Sequence, residues 1–131
     1  MAKRRIPVDA GREALQAVLA VGAEHAARPE LATAVRYLLE ELAERAPGNT
    51  LEVRVPPFGA TQCVTGPRHT RGTPPNVVET DPATWIALAA GQLAWSDALA
   101  EARATASGSR ASLDGLLPLV RPVPHRPETA G

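Results

Sequence analysis

The sequence has very few aromatic side chains and only one cysteine. Its 131 residues include two tryptophans, one tyrosine and one phenylalanine, so a hydrophobic core has to be built mainly from aliphatic side chains. The single cysteine, Cys63, excludes an intramolecular disulfide and is typical of a protein in a reducing compartment. The three histidines are scattered, and no second cysteine accompanies them, so we expect neither a metal ion nor another cofactor.

The chain also lacks an excess of either charge and any long apolar run. Fourteen Lys and Arg residues balance fourteen Asp and Glu residues, and the only basic cluster is residues 3–5, KRR. We therefore expect no nucleic-acid partner, because nucleic-acid binding normally requires a basic face. No stretch approaches the roughly 18 consecutive apolar residues of a membrane span, and no targeting segment is recognisable. We expect a cytoplasmic protein with at most transient membrane contact.

Two helices are predicted at the start of the chain. The first spans about residues 9–26 with Asp9 as its N-cap, and Arg28-Pro29 is expected to end it, because a residue before proline avoids helical geometry. The second spans about residues 30–45 and has apolar residues at helical spacing, which predicts an amphipathic helix with one buried face. Its apolar positions are Leu31, Ala34, Val35, Leu38, Leu39 and Leu42.

Alternating patterns predict strands in the middle of the chain. Residues 51–55, LEVRV, predict a half-buried strand with Glu52 and Arg54 on its wet face. Residues 60–65 are predicted to be its hairpin partner, with Cys63 as a small buried side chain. A loop rich in proline and glycine follows at 66–76, and residues 76–80 and 103–108 predict two more strands.

Short helices are predicted between the last two strands. Asp81-Pro82 is a strong helix start, because aspartate caps the first turn and the missing N–H of proline would be unpaired there anyway. This helix is expected to end near Gly91, and Ser96 is predicted to cap the next one. Residues 113–120, LDGLLPLV, then form an apolar closing segment.

These elements predict an α+β domain, with a small, mostly antiparallel twisted sheet of four to five strands layered with helices. We expect one domain over residues 1–120, of which residues 1–8 are a flexible N-terminus. Residues 121–131 are expected to be a proline-rich tail.

The second half of the chain resembles a known family. Residues 77–119 read VVETDPATWIALAAGQLAWSDALAEARATASGSRASLDGLLPL. This order of an acidic helix start, W-x-x-L-x-x-G-x-L, a second short helix, a strand ending in Ser-Gly and an apolar closing segment resembles sterol carrier protein type 2 domains of the bacterial branch. With the similar residues 55–79 before it, the resemblance covers the last two-thirds of the chain. It implies a layered fold with a hydrophobic tunnel that binds acyl chains or sterols without acting on them chemically.

The resemblance and the apolar pattern together predict a cavity between the later helices, the closing segment and the inner faces of the strands. The predicted ligand contacts are Phe58, Trp85, Leu88, Leu93, Trp95, Leu99, Leu113, Leu116 and Leu117. The alternative for the tryptophans and leucines is a filled core, because an aliphatic lining and an aliphatic core have the same composition. Arg68, His69 and Arg71 are candidates for binding an anionic head group, since guanidinium groups bind carboxylate and phosphate through two parallel hydrogen bonds. Their alternative is a solvated loop.

The predicted function is non-enzymatic binding of a hydrophobic small molecule, either a fatty acyl chain or a sterol-like lipid. No catalytic residue is predicted, because Cys63 and His69 are six positions apart and no third group is suggested to orient them. One alternative is an interaction module with a filled core that docks a partner through the helix at 31–42 or through the leucine-rich end. Another is an accessory of a thiol-dependent isomerase system. The oligomeric state stays open.

Overall fold

The computed structural model describes residues 4–66 and 76–121 and has an α+β architecture, which confirms the predicted fold class. The chain begins with two helices, α1 (Val8–Val21) and α2 (Arg28–Arg45). Three strands follow, β1 (Leu51–Val55), β2 (Gly59–Cys63) and β3 (Asn76–Thr80). Two shorter helices, α3 (Pro82–Ala89) and α4 (Trp95–Ala100), precede the strand β4 (Ala104–Ser107).

The four described strands form one sheet in the order β2-β1-β3-β4. The β1–β2 and β3–β4 pairs are antiparallel, as the predicted hairpin requires, whereas β1 and β3 are parallel. Val53 in the centre of β1 lies opposite Thr61 on one side and Val78 on the other. Strand β3 therefore lies beside β1 and not beside β2, the strand that precedes it in the chain.

The sheet buries one face and exposes the other. Leu51, Val53 and Val55 of β1 are completely buried, and Glu52 and Arg54 between them are only partly covered. Arg54 Nη2 donates to Glu52 Oε1 at 2.9 Å on the outer face. The alternation predicted from LEVRV is confirmed.

Helix α2 is the centre of the hydrophobic core. Leu38 and Leu42 are completely buried, and the helix packs against α1, the sheet and α3. Gly11 of α1 lies directly against the ring of Tyr37, so the two helices approach each other closely there. None of the described helices is both long enough and apolar enough to cross a bilayer.

The segment before α1 lies along the exposed side of α2. The Arg4 guanidinium forms ion pairs with Glu41 and, at 3.1 Å, with Glu44. The backbone N–H of Ile6 donates to Glu40 Oε1 at 3.0 Å. Three carboxylates within about one turn of α2 therefore hold residues 4–6 in place.

The predicted ends of the first helix are wrong. Helix α1 begins at Val8 after Pro7, so Asp9 lies inside its first turn and is not the N-cap. It ends at Val21, because Gly22 adopts a φ of 89° and donates its N–H to the carbonyl oxygen of Val18. Pro29 does not end α1 but occupies the first turn of α2, where a missing N–H breaks no helical hydrogen bond.

Two other predicted boundaries also differ from the structure. Helix α4 begins at Trp95 after Ala94, so Ser96 is not its N-cap. Strand β2 ends at Cys63 instead of residue 65, because Val64 adopts a φ of 69° and its N–H donates to Ala46 on the α2–β1 connection.

Candidate functional site

The start of α3 is determined by Asp81. Its Oδ1 atom accepts a hydrogen bond from the backbone N–H of Thr84 at 2.8 Å, and its Oδ2 atom accepts one from the Thr84 hydroxyl at 2.9 Å. Pro82 follows in the first turn, as predicted. The cap determines at which residue the helix begins. In the resulting helix, Trp85 and Leu88 lie on the side that is buried in the interior.

The connection between α3 and α4 is a tight turn. Gly91 has a φ of 77°, which is the left-handed region that glycine adopts readily. The N–H groups of Gln92 and Leu93 both donate to the carbonyl oxygen of Ala87, at 2.8 and 3.2 Å. The turn thereby brings Leu93 and Trp95 beside Leu88.

The closing segment, residues 113–120, is anchored near both ends. Leu113 and Leu119 are completely buried. The N–H of Leu119 donates to the carbonyl oxygen of Ala89 at 2.9 Å, which ties the segment to the end of α3. Between these anchors, Leu116 and Leu117 are only half-buried, and Gly115 has a φ of 82°. The middle of the segment is thus a short apolar bridge, which contains a single turn closed by the N–H of Leu116 donating to the carbonyl oxygen of Leu113 at 3.0 Å.

A pocket of about 350 Å³ lies between this bridge and the α3–α4 turn, and we call it the α3–α4 pocket. Its larger apolar walls are Leu88, Leu93, Trp95, Leu113 and Leu117. Gln92 and the carboxylate of Asp114 are the polar side chains in its lining. Helices α3 and α4, the turn between them and the closing segment supply the walls, and none of the four described strands contributes to them.

Five of the nine predicted ligand contacts therefore meet in one place, and the other four lie elsewhere. Leu116 belongs to the same segment but is not part of the pocket lining. Leu99 points outward from α4 with 40% of its surface exposed. Phe58 lies in the turn between β1 and β2, where Arg36 Nε donates to its carbonyl oxygen and Arg28 stacks on its ring.

The two tryptophans have different environments. Trp85 is completely buried between α3 and α2, and its indole Nε1 donates to the carbonyl oxygen of Val35 at 3.2 Å. Trp95 is 9% exposed and is a wall of the α3–α4 pocket. Both rings belong to the hydrophobic core, but of the two only Trp95 also borders the α3–α4 pocket.

Arg68, His69 and Arg71 lie outside the described residues. Sequence reasoning did not select the smaller pocket residues Gly91, Ala94, Gly115 and Pro118. The two glycines were visible as helix-breaking positions, but nothing in their spacing indicated that both line one pocket.

Nucleophilic chemistry has no support from Cys63. The side chain is completely buried, and burial raises the pKa of its thiol to about 11. The thiol is therefore protonated at neutral pH, and the protonated form is a poor nucleophile. Within residues 4–66 and 76–121, no three His, Cys, Asp or Glu side chains lie close enough to hold a metal ion.

Comparison with known proteins identifies one family. A family model described as "Bacterial SCP ortholog" matches residues 27–119, which is most of the chain. The match includes every element from α2 to β4 and all the walls of the α3–α4 pocket, whereas α1 precedes it. No curated protein matches the chain.

Proposed function

The chain belongs to the bacterial SCP family, and from this we propose that it binds a hydrophobic small molecule, such as an acyl chain or a sterol-like lipid, without chemical conversion. The observation that carries the proposal is the convergence of five predicted apolar contacts on the α3–α4 pocket. A reducing compartment such as the cytoplasm suits its single free thiol.

The size and lining of the pocket support a ligand with an alkyl chain. Its volume of about 350 Å³ is at the lower end of the range of roughly 300–1,000 Å³ that small-molecule sites occupy. Burial of each methylene group contributes about 0.8 kcal/mol, so eight groups contribute ~6 kcal/mol before the cost of ordering the ligand. This corresponds to affinities in the micromolar range or weaker.

The closing segment supplies a route into the pocket. Leu116 and Leu117 are half-buried between two anchored ends, so the bridge can move without exposing Leu113 or Leu119. Outward displacement of the bridge would lengthen the pocket for a longer chain. Loss of the half-buried contacts costs less than loss of fully buried ones, because less apolar surface is exposed.

The structure gives less support to docking of a protein partner on α2. The leucine face of that helix, including Leu38 and Leu42, is already buried against α1, α3 and the sheet. An interaction module would have to use another surface.

Tryptophan fluorescence can test the proposal at the pocket itself. Trp85→Phe leaves Trp95 as the only indole, and titration with 1-decanol should then change its emission in a saturable way. Leu117→Gln in this background should weaken binding about five- to tenfold, because it places a polar group in the apolar wall. Leu99→Gln is the matched control, since Leu99 lies on α4 but outside the pocket, and it should leave the affinity unchanged.

A second measurement addresses ligands acquired during expression. Organic extraction of the purified protein followed by mass spectrometry should recover a lipid in more than trace amount. Unsaturable emission together with an empty extract would contradict the proposal. Concentration-dependent self-association or capture by a partner, without ligand uptake, would instead favour the interaction module.

A further inference from the structure

A second concave site lies on the opposite side of the closing segment. It has a volume of about 430 Å³ and is bounded by α1, α2 and residues 119–121, and we call it the α1–α2 groove. Its apolar floor consists of Leu15, Leu19, Tyr37, Leu119 and Val120. Helix α1 and residues 120–121 lie outside the range matched by the family model, and together they supply six of the ten residues that line this groove.

The rim of the groove is cationic. Arg12, Arg45 and Arg121 all contribute to it, and Glu41 is the single carboxylate. Glu41 is already paired with Arg4, and its other oxygen lies 4.0 Å from Arg45 Nε. Within the part of the chain that the structure describes, Arg12 and Arg121 have no ion-pair partner. A protein with balanced formal charge thus concentrates positive charge around this apolar floor.

The two concave sites differ in the sign of the charge on their lining side chains. The α3–α4 pocket has one charged lining residue, Asp114, whose carboxylate repels an anionic head group. The α1–α2 groove offers several guanidinium groups beside an apolar floor. An alkyl chain with a neutral head therefore matches the pocket, and one with an anionic head matches the groove.

We infer that the α1–α2 groove binds one single-chain amphiphile with an anionic head, a carboxylate or a phosphate. The alkyl chain lies on Leu15, Leu19 and Val120, and the head contacts Arg12 and its neighbours through charge-assisted hydrogen bonds. The floor is concave and of molecular size, which suits a single chain better than a flat bilayer surface. This site goes beyond the proposed function and does not depend on a ligand in the α3–α4 pocket.

Methyl-detected NMR separates the two sites in one experiment. Addition of monomeric decanoate or decyl phosphate should shift the methyl signals of Leu15, Leu19 and Val120. Addition of 1-decanol should shift those of Leu93 and Leu117 instead. If both anions shift the methyl signals of the groove, the groove binds anionic heads in general. If decyl phosphate binds markedly more tightly than decanoate, the groove prefers a phosphate head.

Charge variants test the role of the rim. Arg12→Gln should weaken decanoate binding about tenfold, the effect of losing one hydrogen bond to a charged group. Arg12→Lys should recover part of that loss, because it restores the charge without the two-pronged geometry. Arg110→Gln is the matched control, since Arg110 is exposed and outside the groove, and it should leave the affinity for decanoate unchanged. Raising the salt concentration from 0.05 to 0.5 M should weaken the binding of decanoate but not that of decanol, because salt screens only the interaction with the charged head.

Several results would overturn the inference. One is a decanoate shift confined to the leucines of the α3–α4 pocket. Another is equal affinity of Arg12→Gln and Arg110→Gln for decanoate. A third is binding to anionic phosphatidylglycerol vesicles, lost in Arg12→Gln, without any binding of monomeric decanoate, which would make the groove a membrane contact. Failure of decanol binding alone would affect only the proposed function.

Discussion

A single long-range hydrogen bond joins Trp85 to α2. The indole donates to the carbonyl oxygen of Val35, fifty residues earlier in the chain. Because the ring is completely buried, this bond satisfies a donor that would otherwise be stranded in the core. Trp95 is 9% exposed, so its indole does not need a hydrogen-bond partner inside the protein.

Trp85→Phe should therefore lower the free energy of unfolding by about 1–3 kcal/mol, through the lost hydrogen bond and a smaller ring. Trp95→Phe should cost less than about 1 kcal/mol, because its ring borders a pocket. Urea denaturation followed by far-UV circular dichroism measures both. Equal losses for the two variants would contradict the distinction between a tryptophan enclosed in the core and one that also borders a pocket.

The raised pKa of the Cys63 thiol predicts that the stability of the fold decreases at alkaline pH. Burial raises the pKa of the thiol from 9.0 to about 11 in the folded protein. Between these values the unfolded chain loses the proton and the folded chain keeps it, so the free energy of unfolding falls as pH rises from 9 to 11.

Denaturation curves at pH 8, 9, 10 and 11 measure this dependence. Cys63→Ala should be less stable at pH 8, because it leaves a small cavity, but should lose less stability between pH 9 and 11 than the unsubstituted chain. In the folded protein, Cys63 should also resist alkylation by iodoacetamide at pH 8. Parallel pH profiles for the two proteins would rule out this role of the thiol.

At the scale of elements, the contact between α1 and α2 depends on a glycine inside a helix. A Cβ at Gly11 would lie 2.8 Å from Tyr37 Cβ and closer still to the ring atoms. Glycine lowers helix propensity by about 1 kcal/mol relative to alanine, so its presence here reflects the packing of the two helices. The same close approach positions Tyr37 in the floor of the α1–α2 groove.

Gly11→Ala should consequently destabilise the protein by roughly 1–2 kcal/mol, even though alanine is the better helix former. Ala20→Gly, at an exposed position of the same helix, should also destabilise it, by about 1 kcal/mol, through propensity alone. Thermal unfolding measures both variants. A stabilised Gly11→Ala protein would mean that α1 can move away from α2 without loss.

At the scale of the whole molecule, the closing segment lies between two concave sites. Leu117 and Pro118 face the α3–α4 pocket, whereas Leu119 and Val120 face the α1–α2 groove. Arg45 Nη1 on the groove rim also donates to the carbonyl oxygen of Pro118 at 3.3 Å. A ligand in either site therefore contacts the same short stretch of chain.

Ligand binding should raise the stability of the whole fold. At a free decanol concentration ten times its Kd, mass action stabilises the folded state by ~1.4 kcal/mol, which corresponds to an increase in Tm of roughly 5 °C. Differential scanning fluorimetry with and without decanol measures the increase, and Leu99→Gln should retain it. An undiminished increase in Leu117→Gln at the same decanol concentration would place the bound alcohol outside the α3–α4 pocket.

The sequence by itself determined most of the elements and the fold class. Strand β1 and helix α2 follow from their apolar periods, and α3 begins where Asp81-Pro82 predicts. These features depend on residues within one or two turns of each other. Helix ends at Pro7, Gly22 and Ala94 were less predictable, because several nearby residues compete to begin or end a helix.

Only the tertiary structure decided which apolar side chains enclose space and which fill the core. Trp85 and Trp95 have similar sequence surroundings, but the partner that buries Trp85 is on another helix. Likewise, Leu88 and Leu117 line one pocket, and Arg12 and Arg121 line one groove, only after the chain has folded back on itself. Sequence periodicity reports that a side chain is turned inward, whereas the volume left beside it depends on residues far away in the chain.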